Sequence, residues 1–498
     1  MPRPPALAAT VVLHRRSPAL EVFWVQRADA LQFLGGFHAF PGGRADRGDA
    51  ATPVSGAEGE AATMIAAAAR EVFEECGVLL ARGARRVPQE EREQARRALL
   101  EGATRSFADF LQRNELVLDA RDFVPAGRWQ SPPFLPGGFD TQFFLAELPD
   151  GESARVEDGE LQGGEWIAPA DALERWKANR ALLAAPALGT LRELSKRPDA
   201  TPAEWALELG RPPEARGGRV PRIEVHPGFV LFPVRTPTLA PATHTNCLVI
   251  GRPEVLIVDP GSPYEGEQEA LDQAIDALLA RDGKRVRGIL VTHHHADHWG
   301  GVARLKERYR VPVHAHEWTA PRVGADAPLV GGETIELASE GDRPWRIEVL
   351  FTPGHTPGHL ALYERVSGTI VAGDLVSGLS TVVVDPPEGN MRLYVDSIRR
   401  LRELPATLIL PGHGPPIGGA AHRLDFYLQH RAWREQKILG VLAQAARTLE
   451  ELVPEAYDDT PQERHGPAAR SALAHLLKLR DEGRAEVDPD GRWRRSGP

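Results

Sequence analysis

The sequence predicts a multidomain α/β protein, and three observations carry that reading. Short apolar, β-branched runs such as GILVT at 288–292 alternate with patterns of helical period over most of the chain. The length of 498 residues exceeds what one core supports and gives room for about two to four domains. A stretch rich in Pro, Gly, Arg and Glu at 198–224 interrupts the alternation and reads as a linker with a short helix at AEWALELG. The net charge of −10 argues against a general nucleic-acid coat, though not against a local site. Two cysteines, Cys76 and Cys247, make no disulfide framework and point to a reducing cytoplasm. No run approaches the ~18 apolar residues of a membrane span.

Residues 10–27 give two strand patterns at hairpin spacing. The run 6–13 has the length of a short signal core but reads as the first of those strands. LGGFHAFPGGRADRGD at 34–49 is a Gly-rich turn region, and 50–60 looks like a flexible insertion of small and acidic residues. From Ala61, AATMIAAAAREVFEECG turns helical: alanines favour helix, and Gly77 supplies the stop. Glu71, Glu74 and Glu75 fall at i, i+3 and i+4 and share one face. Three like charges destabilise a bare helix, and a divalent cation among them would reconcile them, Mg²⁺ preferring carboxylate oxygens and water. A solvated acidic face is the commoner origin of such a cluster.

The string REVFEECGV decides between the two. It resembles the second half of the Nudix box, REUxEExGU, at every specified position: Arg70, Glu71, Val72, Glu74, Glu75, Gly77 and Val78. The resemblance implies a Nudix α/β/α sandwich over 1–197. It also implies Mg²⁺ or Mn²⁺ held by the glutamates against a diphosphate, with Arg70 orienting a glutamate. The first half of the box departs from the pattern. Counted from Gly43, the box glutamate is Asp49, and twenty residues rather than seven separate it from Arg70. Such insertions mark a branch that includes CoA diphosphatases, and GGFDTQFFLAELP at 137–149 with Glu165 and Trp166 is similar to that branch. The implied substrate is CoA or a nucleotide diphosphate. The alternative is a module that senses a nucleotide and regulates the other half.

The second half is organised around VTHHHADHWGG at 291–301, where His293, His295, Asp297 and His298 form the pattern HxHxDH. A strand precedes it and the helical VARLKERY follows, so the histidines sit on a strand-to-helix loop. In an extended loop residues two apart point the same way, so His293 and His295 can reach one metal ion. Asp297 and His298 begin another direction and can reach a second. Imidazole and carboxylate suit zinc, with manganese and iron as alternatives. Downstream, TPGHTPGH offers His355 and His359, VAGD offers Asp374 and LPGHG offers His413, each after an apolar run.

Over 227–420 this set resembles the metallo-β-lactamase superfamily, implying an αββα sandwich for the domain 225–420. The resemblance implies two zinc ions, or Mn or Fe in their place. The first would be held by His293, His295 and His355 and the second by Asp297, His298 and His413, with Asp374 bridging. It gives His359 no ligand role, leaving it a loop or outer residue. Asp259, at the end of EVLIVDPG, either supports the metal loop as in that family or simply forms a turn. Metal binding can bring the pKa of water from ~15.7 to about 7, so no Ser or Cys nucleophile is needed. No GxSxG elbow is present.

The tail 421–498 reads as helix, helix and a hairpin around Asp490-Gly491, a winged-helix outline. With YLQHRAWREQKIL it resembles the C-terminal domain of β-lactamase-like endoribonucleases, which implies single-stranded RNA as substrate. Its nearly balanced charges give no strong nucleic-acid patch, and a buttress or a dimerising tail is the plainer alternative. The rival substrate is a thioester, as in the glyoxalase II branch of the same superfamily. The expected partners are therefore a small diphosphate or acyl substrate and single-stranded RNA, with no membrane.

Overall fold

The computed structural model describes residues 5–102, 106–132, 138–211, 222–339 and 344–496. The chain divides into two compact units, with the boundary at Pro227 and Gly228.

In the first unit the strands Ala6–Arg16 and Phe139–Glu147 pair in parallel at the centre of a sheet. Leu20–Arg27 flanks the first antiparallel, and Val124–Gln130 flanks the second. Strand side chains alternate between faces, and both faces are covered. Val11, Leu13, Phe23 and Val25 pack with the helix Gly59–Cys76, while Val12, Val22 and Trp24 pack with Trp176, Leu188 and Leu191 on the other side. The result is the expected α/β/α sandwich. Ala66, Ala67, Ala68 and Ala69 are all buried, so the helix can lie close to the sheet. It ends at Gly77 in the left-handed conformation (φ 70°), which glycine adopts without strain.

Two expectations change here. The insertion 50–60 is held rather than flexible. A 3₁₀ turn at Asp49–Ala51 leads to Val54–Ser55, which pairs in parallel with Leu118–Asp119. The helix expected inside the linker is Pro202–Leu209, started by a Thr201–Glu204 capping box. It buries Trp205 in the core of the first unit. The linker residues 212–221 lie outside the described residues.

The second unit holds two sheets. One runs in the order Phe229–Arg235, His244–Ile250, Glu254–Val258, Arg285–Val291, Val313–His316, Ala327–Leu329. The other runs Thr334–Leu337, Trp345–Phe351, Leu360–Glu364, Thr369–Gly373, Leu408–Pro411, Ile417–Gly418. Leu271, Ile275 and Leu305 from helices Glu265–Asp282 and Val302–Tyr309 pack on the first. Tyr394 and Ile398 from Met391–Arg402 and Leu424 and Tyr427 from Ala420–Leu442 pack on the second. Leu360–Glu364 and Thr369–Gly373 are buried along their whole length, as strands covered on both faces must be.

Strand direction decides where the loops gather. Glu254–Val258 and Arg285–Val291 are parallel, and so are Thr369–Gly373 and Leu408–Pro411. Each parallel pair delivers its following loops to one edge. Leu360 N donates to Thr292 O and Asn246 N donates to Gly412 O, both at 2.8 Å, which ties the two sheets together there.

The first of the two helices expected in the tail is itself two. Ala420–Leu442 stops, and Thr448 opens Leu449–Ala456 with its own capping box to Glu451. His465–Asp481 and the hairpin Ala485–Val487 with Trp493–Arg495 complete a winged helix. Ile438, Leu452, Leu476 and Trp493 share its separate core. Among the described residues no helix is long and apolar enough to cross a membrane.

Candidate metal centres

At the end of strand Arg285–Val291 the chain enters the HxHxDH loop. His293 Nε2 and His355 Nε2 each lie 3.0 Å from His295 Nδ1. Three nitrogens at this spacing match the edges of a zinc tetrahedron, roughly 3.3 Å for Zn–N bonds of about 2.0–2.1 Å. One proton on His295 Nδ1 cannot serve both neighbours at once, but one cation can serve all three. A second group is Asp297, His298 and His413, with His413 Nε2 3.4 Å from Asp297 Oδ2. Asp374 stands between the groups. Its Oδ1 is 3.5 Å from His298 Nε2, and its Oδ2 is 3.4 Å from His413 Nε2 and 3.8 Å from His355 Nε2. All seven residues predicted for this site therefore come together.

His293, His298, His355 and His413 are each aimed by a bond on the far nitrogen, the usual support for metal-ligating imidazoles. His293 Nδ1 meets Thr292 Oγ1 at 3.0 Å, His298 Nδ1 meets Asp259 Oδ2 at 2.9 Å, and His355 Nδ1 meets Val383 O at 3.0 Å. His413 Nδ1 meets His244 O at 2.8 Å. Asp259 also accepts from Thr292 N and Thr292 Oγ1, both at 2.7 Å, so it is a support of the metal loop and more than a turn-former. His359 is buried behind Asp374: its Nε2 accepts from Asp374 N at 3.1 Å and its Nδ1 meets Thr352 Oγ1 at 2.9 Å.

Burial and the neighbouring imidazoles keep the first three rings neutral. His293 is held well below its ordinary value and His295 at about 3. His355 is lowered by its burial, although Asp374 pulls the other way. The second group behaves oppositely. Burial works against charge on His413, but Asp374 and Asp297 raise it to about 10. Burial opposes ionisation of Asp297, yet His298 and the bond from His413 hold it at about 2. The carboxylates thus build a field that favours positive charge. His298 Nε2, buried and without a hydrogen-bond partner, points into that field. The donor set fits two metal ions.

The glutamate site is built differently. Arg70, 4% exposed, donates from Nε and Nη2 to the two oxygens of Asp49, both at 2.9 Å. Asp49 therefore occupies the place that spacing assigned to the box glutamate, despite the long insertion. Arg70 Nη1 lies 2.9 Å from Glu71 Oε1 and 3.2 Å from each Glu74 oxygen. Glu75 turns away to accept Gly42 N at 2.9 Å, and a Cβ at Gly43 would meet the Glu71 carboxylate at 2.6 Å. Burial, followed by the partners' charges, sets the acidities. Glu71 rises to about 7 even with Arg70 beside it, Glu75 rises to about 8 with Glu71 adding to the effect, and Glu74 is raised. Burial works against the Arg70 charge, but Asp49 and the glutamates hold it above the ordinary value. The compact groups of metal donor atoms among the described residues all involve the histidine loop; the three glutamates do not converge in that way.

Sequence reasoning did not reach Thr292, Thr352, Val383 and His244. The last two act through backbone carbonyls, which no side-chain pattern marks. The TH dipeptide at 292–293 was the one available signal.

Residues 240–413 match the family model of the metallo-beta-lactamase superfamily. Residues 448–493 match that of the beta-lactamase associated winged helix domain, and 57–194 that of the NUDT19 Nudix domain. A beta-lactamase-like protein 2 homolog of Caenorhabditis elegans is 28% identical over 249 residues, 49% of this chain and 80% of the relative. The probable metallo-hydrolase YqgX of Bacillus subtilis is 32% identical over 188 residues, 34% of this chain and 83% of the relative. A hydroxyacylglutathione hydrolase of Halorhodospira halophila is 39% identical over 160 residues, 31% of this chain and 54% of the relative.

Proposed function

Because the chain belongs to the metallo-β-lactamase superfamily, with a NUDT19-type Nudix domain before that fold and a β-lactamase-associated winged helix after it, we propose that it is a bifunctional hydrolase whose histidine site is dinuclear. The observation that supports this most is the convergence of two donor groups on the Asp374 carboxylate. His293, His295 and His355 would hold one ion and Asp297, His298 and His413 the other, zinc by preference or Mn or Fe. When bound, the ions would supply a nucleophile from water at neutral pH and a Lewis acid for the oxygen that gains charge. The chain's own part is to aim the ligands. Asp259 and Thr292 fix the loop, and His359 holds the Asp374 backbone.

For this site we read the substrate as a phosphodiester in single-stranded RNA. Support comes from the tail, where Phe426, His430 and Trp433 form a stripe along helix Ala420–Leu442 with ring centroids 6.0 and 5.8 Å apart. Phe426 is 38% and Trp433 45% exposed. Exposed aromatic rings stack bases without reading sequence. The cations beside them, Arg434 and Lys437, are already paired with Asp459, so few phosphates would be contacted and the salt dependence should be shallow. Trp433→Ala in the full chain should cut RNA cleavage roughly tenfold and spare a small reporter ester. Equal cleavage would move a second reading ahead: hydrolysis of a thioester, which the similarity to hydroxyacylglutathione hydrolases favours.

At the other site Glu71, Glu74 and Glu75, although not gathered into one compact donor group, would hold Mg²⁺ or Mn²⁺ for hydrolysis of a diphosphate, with CoA or a nucleotide diphosphate as the substrate class. Screening CoA, ADP-ribose and other nucleotide diphosphates with Mg²⁺ tests this. Binding without cleavage would make the unit a nucleotide sensor instead. Two buried free thiols, Cys76 and Cys247, support a reducing, cytoplasmic location.

A further inference from the structure

From Leu375 to Asn390 the chain follows Asp374 without forming a helix or strand. Backbone groups in such a strap have no ladder to satisfy them and must find other partners. Here the partners are side chains of the C-terminal helices. Tyr427 Oη, fully buried, accepts from Ser377 N and donates to Ser380 O, both at 2.8 Å. Arg423 donates to Ser377 O at 2.8 Å. Arg431, 5% exposed, donates through Nη2 to Val382 O. Ser471 Oγ accepts from Val384 N at 3.4 Å. The residue between the last two contacts is Val383, and its carbonyl accepts the bond from His355 Nδ1 at 3.0 Å.

An imidazole whose Nδ1–H is held by a carbonyl presents the lone pair of Nε2 in a fixed direction. In His355 that Nε2 is the atom facing His295 Nδ1. We propose that Arg431 and Tyr427 are positioning residues of the metal centre. By holding the strap they place the Val383 carbonyl, and through it they set the tautomer and aim of His355. The C-terminal helices are therefore part of the outer support of the first metal position, whatever substrate the tail also meets. This rests on the dinuclear reading for its consequence, but its geometric core concerns His355 alone.

Arg431→Met keeps much of the side chain and removes the donor to Val382 O, Arg431→Lys restores a donor, and Tyr427→Phe removes one oxygen. All are made in the full chain, and Zn²⁺ affinity is measured by competition with a chromophoric chelator. Arg431→Met should weaken one of two tight sites by roughly 10–100-fold, and Tyr427→Phe should do so by roughly severalfold. Arg431→Lys should recover part of the loss, and the other site should stay at wild-type affinity. A second readout needs no metal. In chelator-stripped protein, ¹⁵N-histidine spectra should show His355 as the Nδ1–H tautomer in wild type and as a mixture in Arg431→Met, with the signal assigned by its loss in His355→Asn. Wild-type affinity together with an unchanged tautomer in either folded variant overturns the proposal. Should Arg431→Met fail to fold, Tyr427→Phe decides alone by the same criteria. A wild-type chain that takes up no metal but whose variants shift the tautomer would overturn the dinuclear reading and leave the positioning role standing.

Discussion

In the second unit the donors of the histidine site arrive from four separated segments: the loop at 293–298, His355, Asp374 and His413. In the first unit Glu71, Glu74 and Glu75 sit within two turns of one helix. A ring nitrogen binds in one direction only, so the histidine site fixes four imidazoles, His293, His298, His355 and His413, each with its own far-side bond, to Thr292, Asp259, Val383 O and His244 O. A helix aims its carboxylates collectively, so the glutamate site depends on one shared clamp, Arg70 on Asp49, and on the backbone of Gly42. Damage to one outer bond should therefore be local at the histidine site and general at the glutamate site.

The sharpest separation is Asp297→Ala. It should lower hydrolysis at the histidine site on the order of 10³-fold and leave Mg²⁺-dependent diphosphate hydrolysis untouched. Parallel loss of both activities with the fold preserved would break the comparison. Next in size is Asp49→Asn, which leaves buried Arg70 without its principal anion. We expect the first unit to lose about 3–5 kcal/mol of stability and diphosphate hydrolysis to fall with it, while histidine-site activity holds. Denaturant unfolding followed separately for the two activities checks this, and an unperturbed first unit would contradict the shared clamp. Asp259→Asn is the local counterpart. Weakening the His298 bond should reduce metal affinity roughly 10–100-fold without lowering the melting temperature of the first unit.

The smallest effect is a pH dependence of the first unit. Glu71 and Glu75 lie at about 7 and about 8, above the ordinary 4.5, so the metal-free folded chain keeps protons that the unfolded chain has lost. Its stability therefore falls as pH rises from about 4.5 through about 8. A cation bound to the ionised carboxylates restores what is lost. The rise in melting temperature on adding Mg²⁺ should be greater at pH 8.5 than at pH 6. Glu75→Gln, which copies the protonated side chain, should flatten that difference and remove Mg²⁺-dependent hydrolysis. A Mg²⁺ shift independent of pH would mean that the ion binds elsewhere.

Both motifs were legible because each is local. HxHxDH needs only a strand end and a period of two, and the glutamates need only helical spacing. Counting from Gly43 reached Asp49 even across the insertion, since the Arg70 clamp depends on the start of the loop and not on its length. What stayed hidden depends on distant partners. Val54–Ser55 is ordered by pairing with the distant Leu118–Asp119 and by burying Val54 in the core. The supports of His355 and His413 are carbonyls, which any residue carries. The break between Leu442 and Leu449 is marked in the sequence only by the capping pair Thr448 and Glu451, set in an alanine-rich run that otherwise favours helix.

The central claim is that seven residues from four segments form one dinuclear site. Elemental analysis of the full chain, purified without chelator and again after incubation with Zn²⁺, Mn²⁺ or Fe²⁺, tests it most directly. The account predicts about two transition-metal ions per chain, falling toward one in Asp297→Ala and in His355→Asn while Mg²⁺ binding at the glutamate helix is retained. A folded chain that carries no transition metal and takes none up under any of these conditions would contradict it.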